Sequence, residues 1–258
     1  MKTLLKVVLS PWLALLTLLL ALTIRIENPT FVESIRLRYF DTIITSKPVV
    51  NSDSIAIVNI DDATLENYGQ WPFPRDQYSA IIKQLYDRQA GLVVFNVFMP
   101  DADRFGKDKI LAKTMSELPV ILPQSATNDV LNTTVQAYRP GVSVIGDTGE
   151  QFTVDYKNVQ PNVKELNDVV AGAGIVNTFP EIDGVVRRVP MLVSSKGMLY
   201  PSISLETLRV AAGDPSFQVK ISDIGIEAVR IPKFGKIATD TWSRIWVDWS
   251  RRPINYSC

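Results

Sequence analysis

The sequence contains no histidine. That excludes Ser-His-Asp and Cys-His catalysis and any imidazole metal site. Its single cysteine, Cys258, is the last residue, which excludes a disulfide framework and a thiolate-rich metal centre. Neither sign of charge is in excess: Lys+Arg and Asp+Glu stand at 27 each, so nucleic acid is not an expected partner. No cofactor is expected either. What is present is 46% hydrophobic and 21% charged, the composition of a folded chain. At 258 residues the length suits one large domain or two small ones.

The N-terminus carries the clearest physical signal. Residues 7–24 read VVLSPWLALLTLLLALTI, without a charge, behind Lys2 and Lys6. At about 1.5 Å of rise per residue this stretch and its neighbours span a hydrocarbon core of ~30 Å. The leading lysines predict that the N-terminus stays in the cytoplasm and that everything after Ile24 is exported. A cleaved signal peptide is the rival, but the exit LALTIRIEN offers only Ala21 and Thr23 as small residues, so an uncleaved anchor is expected. The expected divisions are a cytoplasmic tip and transmembrane anchor over 1–24, a juxtamembrane stalk helix over 25–50 ending at Lys47-Pro48, and an exported domain over 51–258. The expected location is the inner membrane, single-pass, with the domain on the periplasmic or extracellular side.

Beyond the stalk a strand–helix rhythm begins. Residues 54–60 (SIAIVNI) are apolar on both faces, as in a strand covered on both sides. Tyr78, Ile81, Ile82, Leu85 and Tyr86 recur on one face of a helix over 76–89. Strands are expected at 92–97 and 120–123, with a helix near 107–117 between them. Further strands are expected at 173–178, 185–193, 219–231 and 244–247, with a helix over 202–212. Asp183-Gly184 predicts a hairpin turn between two of these strands. The fold class is therefore α/β: an N-terminal transmembrane helix, then a mostly parallel β-α-β sheet domain with an antiparallel hairpin extension.

In such a sheet, ligands gather outside the carboxyl ends of the parallel strands. Asp61, Asn96, Gln124 and Asn177 follow or end the expected strands and so are candidates to converge on a pocket. For Asp62, helix capping is the favoured role; for Asp61, capping and ligand binding weigh equally. The segment Gly69-Gln-Trp-Pro-Phe-Pro-Arg75 stiffens a corner with Pro72 and Pro74, sets Trp71 and Phe73 against the core, and offers Arg75 to an anion. Of Arg187 and Arg188, only one can face a pocket if they lie in a strand. Asp101 and Asp103 alone are weak evidence for a hard cation. Gly172-Ala-Gly174 lacks the context of a dinucleotide fingerprint and opens a strand instead.

Taken together, AIVNIDD, GQWPFPR, VVFNVFMPD, GIVNTFPEIDGVVRRVPMLV and YPSISLETL resemble, in order and spacing, the type-two CHASE domain over roughly residues 30–250. The name denotes a cyclase/histidine-kinase-associated extracellular sensor. The resemblance implies a bacterial, membrane-tethered input domain, with Trp71, Pro72, Pro74, Asp183, Gly184 and Pro190 as motif positions. In relatives it precedes further membrane helices and a cyclase or kinase output. Two departures stand out. Phe95-Asn96 replaces the usual Phe-Asp, removing a carboxylate from the expected pocket. The chain also ends at Cys258 with no output domain, so a fragment, a split gene product or an anchored module acting through a partner is expected. The function expected is ligand sensing, not catalysis, with Asp61, Arg75, Asn96, Asn177 and Arg187 as candidate ligand contacts. The ligand is a small molecule or a protein, and a homodimer is plausible by analogy with single-span receptors. The alternatives are an exported hydrolase using Asp61 and Asp62, and an anchored interaction scaffold.

Overall fold

The computed structural model describes residues 11–48, 54–146, 150–249 and 255–257. Lys2, Lys6, the first residues of the apolar stretch and Cys258 lie outside the described residues. The chain divides into two compact units.

The first unit gathers the residues up to Ile57 with 180–185 and 248–255. Helix α1 (Pro11–Glu27) buries none of its side chains. It stops where Asn28 takes a left-handed φ of 41° and Pro29 withholds an N–H. Helix α2 (Thr30–Ser46) then starts in a new direction, the two axes bent by 81°. No single described helix is long and apolar enough to cross a membrane; only the bent pair passes on length and composition. The described part of the expected span is 17 helical residues, about 26 Å at the usual rise, and does not by itself meet the length of a membrane span. The turn at 180–185 closes with Glu181 N–H on Val185 O at 2.9 Å and Val185 N–H on Asp183 Oδ1 at 3.2 Å, with Gly184 at φ 82°.

The second unit takes up the chain from Val58, within β1 (Ile57–Asn59), which precedes α3 (Asp62–Tyr68) and α4 (Arg75–Asp87). Then come β2 (Val93–Val94), α5 (Asp108–Glu117), β3 (Val120–Thr127), β4 (Gly141–Ile145), β5 (Val154–Tyr156) and β6 (Asn158–Gln160). Helix α6 (Lys164–Asn167) leads to β7 (Gly172–Ile175), β8 (Arg188–Pro190), β9 (Leu192–Ser195) and β10 (Met198–Pro201). Helix α7 (Ile203–Ala211), β11 (Ser216–Ser222), β12 (Gly225–Ile231), β13 (Gly235–Ile237), β14 (Arg244–Trp246) and β15 (Asn255–Ser257) complete the order.

The expected parallel sheet is present as β2, β3 and β7, with β3 between the other two and β6 antiparallel to its far half. Alternation along β3 sorts its neighbours. Val120 and Leu122 face the core formed with Tyr78 and Ile82 of α4 and Leu111 and Met115 of α5. On β7, Gly172 pairs Ile121 and Gly174 pairs Pro123, and this face receives α7. A Cβ on Gly174 would stand 2.4 Å from Ile203 Cα, and one on Gly172 would stand 2.4 Å from Glu206 Oε1. The glycines are where helix and sheet touch. Leu205 of α7 reaches the second core, with Phe217, Val219 and Val229 of the β13–β12–β11–β4 sheet.

Two expectations are corrected. Strand β1 is three exposed residues paired with β15, and does not lead the parallel sheet. Its β-branched residues satisfy strand propensity in any sheet, and propensity names no partner. The Asp183-Gly184 turn forms, but its flanking strands do not pair as a hairpin: β7 pairs β3, while β8 pairs β14. Asn177 turns back onto β3, and Pro180 has no N–H to carry a ladder onward.

Candidate functional site

A cleft of about 340 Å³ opens at the carboxyl end of β2, where a parallel sheet presents its ligand edge. That volume lies within the range of ~300–1,000 Å³ typical of small-molecule sites. Two loops make it: the Trp71–Arg75 corner before α4 and the segment from Val97 to Arg104 after β2. The corner is held by aromatic packing. Trp71 meets Phe73 edge-on at 5.7 Å between centroids, and Tyr78 lies 5.8 Å from Trp71 and 5.2 Å from Phe95. The Tyr78 hydroxyl accepts the Phe73 N–H at 3.2 Å, and burial pushes that hydroxyl above the ordinary tyrosine range.

Arg75 is the first residue of α4 and is buried. Its Nε donates to Asp108 Oδ1 at 3.3 Å, its Nη2 to Asp101 O at 3.3 Å, and its guanidinium lies 5.8 Å from the Tyr78 ring. Asp108 uses its other oxygen to accept the Asp103 N–H at 2.8 Å, and Asp103 accepts the Lys107 N–H at 3.0 Å. One carboxylate thus fixes both the arginine and the loop that faces it. Arg104 bridges the rims by donating to Pro72 O at 3.2 Å, with its guanidinium 4.7 Å from the Phe105 ring. Arg75, Arg104, Asp101 and Asp103 all line the cleft, so its formal charge balances. Half-exposed Trp71 and Phe98 supply apolar faces beside these polar groups. The cleft thus combines aromatic walls, a pre-held guanidinium and carboxylates at the rim.

Of the candidates read from the sequence, only Arg75 of the ligand contacts lines this cleft, together with Trp71 and Pro72 of the motif. Asp61 caps α3: its Oδ1 accepts Thr64 N–H at 3.0 Å and Thr64 Oγ1–H at 2.8 Å, a capping box. Asn96 is exposed just past β2. Gln124 lies within β3, not beyond it; its Nε2 donates to Tyr138 O at 2.9 Å. Asn177 grips β3, accepting Ala126 N–H at 2.8 Å and donating to Ala126 O at 2.9 Å. Arg187 is buried just before β8, whereas Arg188, its first residue, pairs with Asp240 at 3.7 Å and lies 4.9 Å from the Trp246 ring. Pro190 is buried in β8, paired with Arg244, and Pro74 caps the start of α4. Asp183 and Gly184 form the turn already described.

A buried ion pair was not legible in the sequence. Arg209 of α7 donates from Nε to Glu206 Oε2 at 2.8 Å and from Nη2 to Glu206 Oε1 at 2.6 Å, with Glu206 fully buried. Nη2 also reaches the Tyr138 hydroxyl at 3.2 Å, and Nη1 binds Asp214 O. Burial raises the Glu206 carboxyl, while the carboxylate raises Arg209 and keeps it charged. In sequence the two look like an ordinary i, i+3 surface pair; the glycine facing Glu206 at position 172 was the available signal.

No curated protein and no solved structure matches the chain. The family model of the CHASE2 domain matches residues 13–257, almost the whole length, taking in the cleft loops, the glycine-bearing strand and the Arg187-Arg188 segment. The chain therefore belongs to the CHASE2 domain family, a family of sensor domains and not of catalytic ones.

Proposed function

We propose that this chain is the extracytoplasmic input module of a transmembrane receptor, tethered at the inner membrane through α1 and coupled to a cyclase or kinase output. A small polar ligand binds in the cleft beside β2 and biases the module between conformers. The observation that carries this reading is the recess itself: Arg75, pre-held by Asp108 at 3.3 Å, beside exposed aromatic walls at the carboxyl edge of a parallel sheet. Family membership supports the sensory role.

The test is a thermal-shift screen of the full chain in nanodiscs against amino acids, organic acids and sugars. A ligand at a hundred times its Kd stabilises by about 2.7 kcal/mol. For a domain of this size that is a rise in Tm of roughly 5–10 °C. Trp71→Ala and Arg104→Ala should each abolish the rise. A rise that survives both substitutions would move the site elsewhere, and a silent screen would leave the cleft without a ligand role.

A further inference from the structure

Helix α2 carries an apolar stripe on the side away from its own packing. Phe31, Ile35, Tyr39 and Ile43 recur every fourth residue and are 74%, 52%, 68% and 44% exposed. Successive members step by about 40°, giving a stripe about 120° wide. Glu33 and Leu37, the buried residues of α2, lie on the opposite side, about 160° from the stripe's centre. An amphipathic stalk would turn its large apolar side chains inward; this helix has apolar residues on both sides, and one side has no cover among the described residues.

Three features name the cover. The helix that leads into it is apolar and uncovered: Ile26 at the end of α1 is exposed, as are Leu22 and Leu19 before it. The axes of α1 and α2 meet at 81°. With α1 as a span tilted by about 20°, α2 then lies within roughly 30° of the membrane plane. Finally, exposed arginines border the stripe on both sides, Arg38 about 20° beyond Phe31 and Arg36 about 20° beyond Ile43. Arg36 pairs with Glu33 at 2.6 Å yet keeps 58% of its side chain exposed. Guanidiniums at that position sit at phosphate level while aromatic and aliphatic side chains enter the acyl boundary.

We infer that α2 is not an upright stalk but an interfacial helix, lying on the outer leaflet with Phe31, Ile35, Tyr39 and Ile43 immersed and Arg36 and Arg38 on anionic headgroups. The inference rests on the anchored reading above and extends it. It puts the connection between span and sensor in contact with lipid, so that lipid charge and packing act on it directly.

The test uses the full chain with Cys258→Ser, in vesicles of phosphatidylethanolamine and phosphatidylglycerol. Single substitutions Ile35→Cys, Tyr39→Cys, Leu18→Cys and Val130→Cys each receive a polarity-sensitive dye. Labels at positions 35 and 39 should emit blue-shifted, be quenched by lipids spin-labelled near the headgroup, and show several-fold less iodide quenching than the label at fully exposed Val130. Position 18 should be quenched by deeply labelled lipid. Arg36→Gln with Arg38→Gln should weaken the shallow quenching most in anionic vesicles. Deep quenching at 18 with iodide-accessible, unquenched labels at 35 and 39 would overturn the interfacial helix and leave the anchor standing. No lipid quenching at 18 would overturn the anchor itself, and this inference with it. Labels at 35 and 39 shielded from iodide and lipid alike, with Tyr39→Cys cross-linking between copies, would overturn it in favour of a second copy of the chain.

Discussion

Gly174→Ala tests the close approach of α7 to β7. The added Cβ would stand 2.4 Å from Ile203 Cα, 2.5 Å from Ile203 N and 2.7 Å from Ser202 C. All three are main-chain atoms, so no side chain can swing aside. The first turn of α7 must withdraw by about 1 Å to restore ordinary contact, in an interior packed like an organic crystal. That shift strains the Ser202 cap, whose Oγ accepts Leu205 N–H at 3.2 Å, and draws Leu205 from the second core. Overpacking typically costs about 1–3 kcal/mol, and main-chain obstruction places this site at the upper end. At roughly 2–4 °C per kcal/mol, Tm should fall by about 6–12 °C. Circular-dichroism melts of the wild type and variant measure it, with Gly91→Ala as control. Gly91 has nothing within 4 Å of the added carbon and should change stability by less than about 0.5 kcal/mol. A Gly174→Ala variant melting with the wild type would refute the reasoning.

Three further outcomes are expected. Asp108→Ala strands the buried Arg75 charge and should cost about 3 kcal/mol in urea unfolding, with a Arg75→Met, Asp108→Ala double variant losing less than the sum. Burial holds Tyr78, Tyr86, Tyr138, Tyr156 and Tyr200 above the ordinary tyrosine value. The folded chain therefore keeps protons that the unfolded chain releases above about pH 10, so their contribution is full below that pH and falls as pH rises through it. Tyr78→Phe should flatten that alkaline slope in unfolding titrations. Asn177→Ala leaves Ala126 N–H and C=O without their partner and should cost about 1–3 kcal/mol, read from denaturant midpoints.

The parts of the fold that were legible are those where one periodicity has one solution. Tyr78, Ile82 and Leu85 could only belong to a helix with a single buried face, and α4 runs over Arg75–Asp87. The Trp71–Arg75 corner announced itself because two prolines, two aromatics and an arginine have few uses together. Partners were not legible. β1 looked like a central strand because its composition suits any sheet, and Asp61 weighed evenly until Thr64, three residues on, proved to be the reciprocal cap. Asn96 and Asn177 fell away from the cleft for the same reason: where a strand ends decides which residues flank its mouth, and β2 and β7 end earlier than the apolar runs suggest. Arg187 precedes β8, which pairs β14 and lies outside the parallel sheet.

The amide of Asn177 occupies the place of a missing strand residue. β7 ends at Ile175, opposite Gln124, and the side chain then supplies Ala126 with the donor and acceptor that another strand would have offered. The last stretch of β3 is thereby closed on that side without any further length of sheet. An open sheet edge is a template for any passing extended chain. A protein in any crowded compartment meets such chains constantly, and one side-chain amide denies them a place to add.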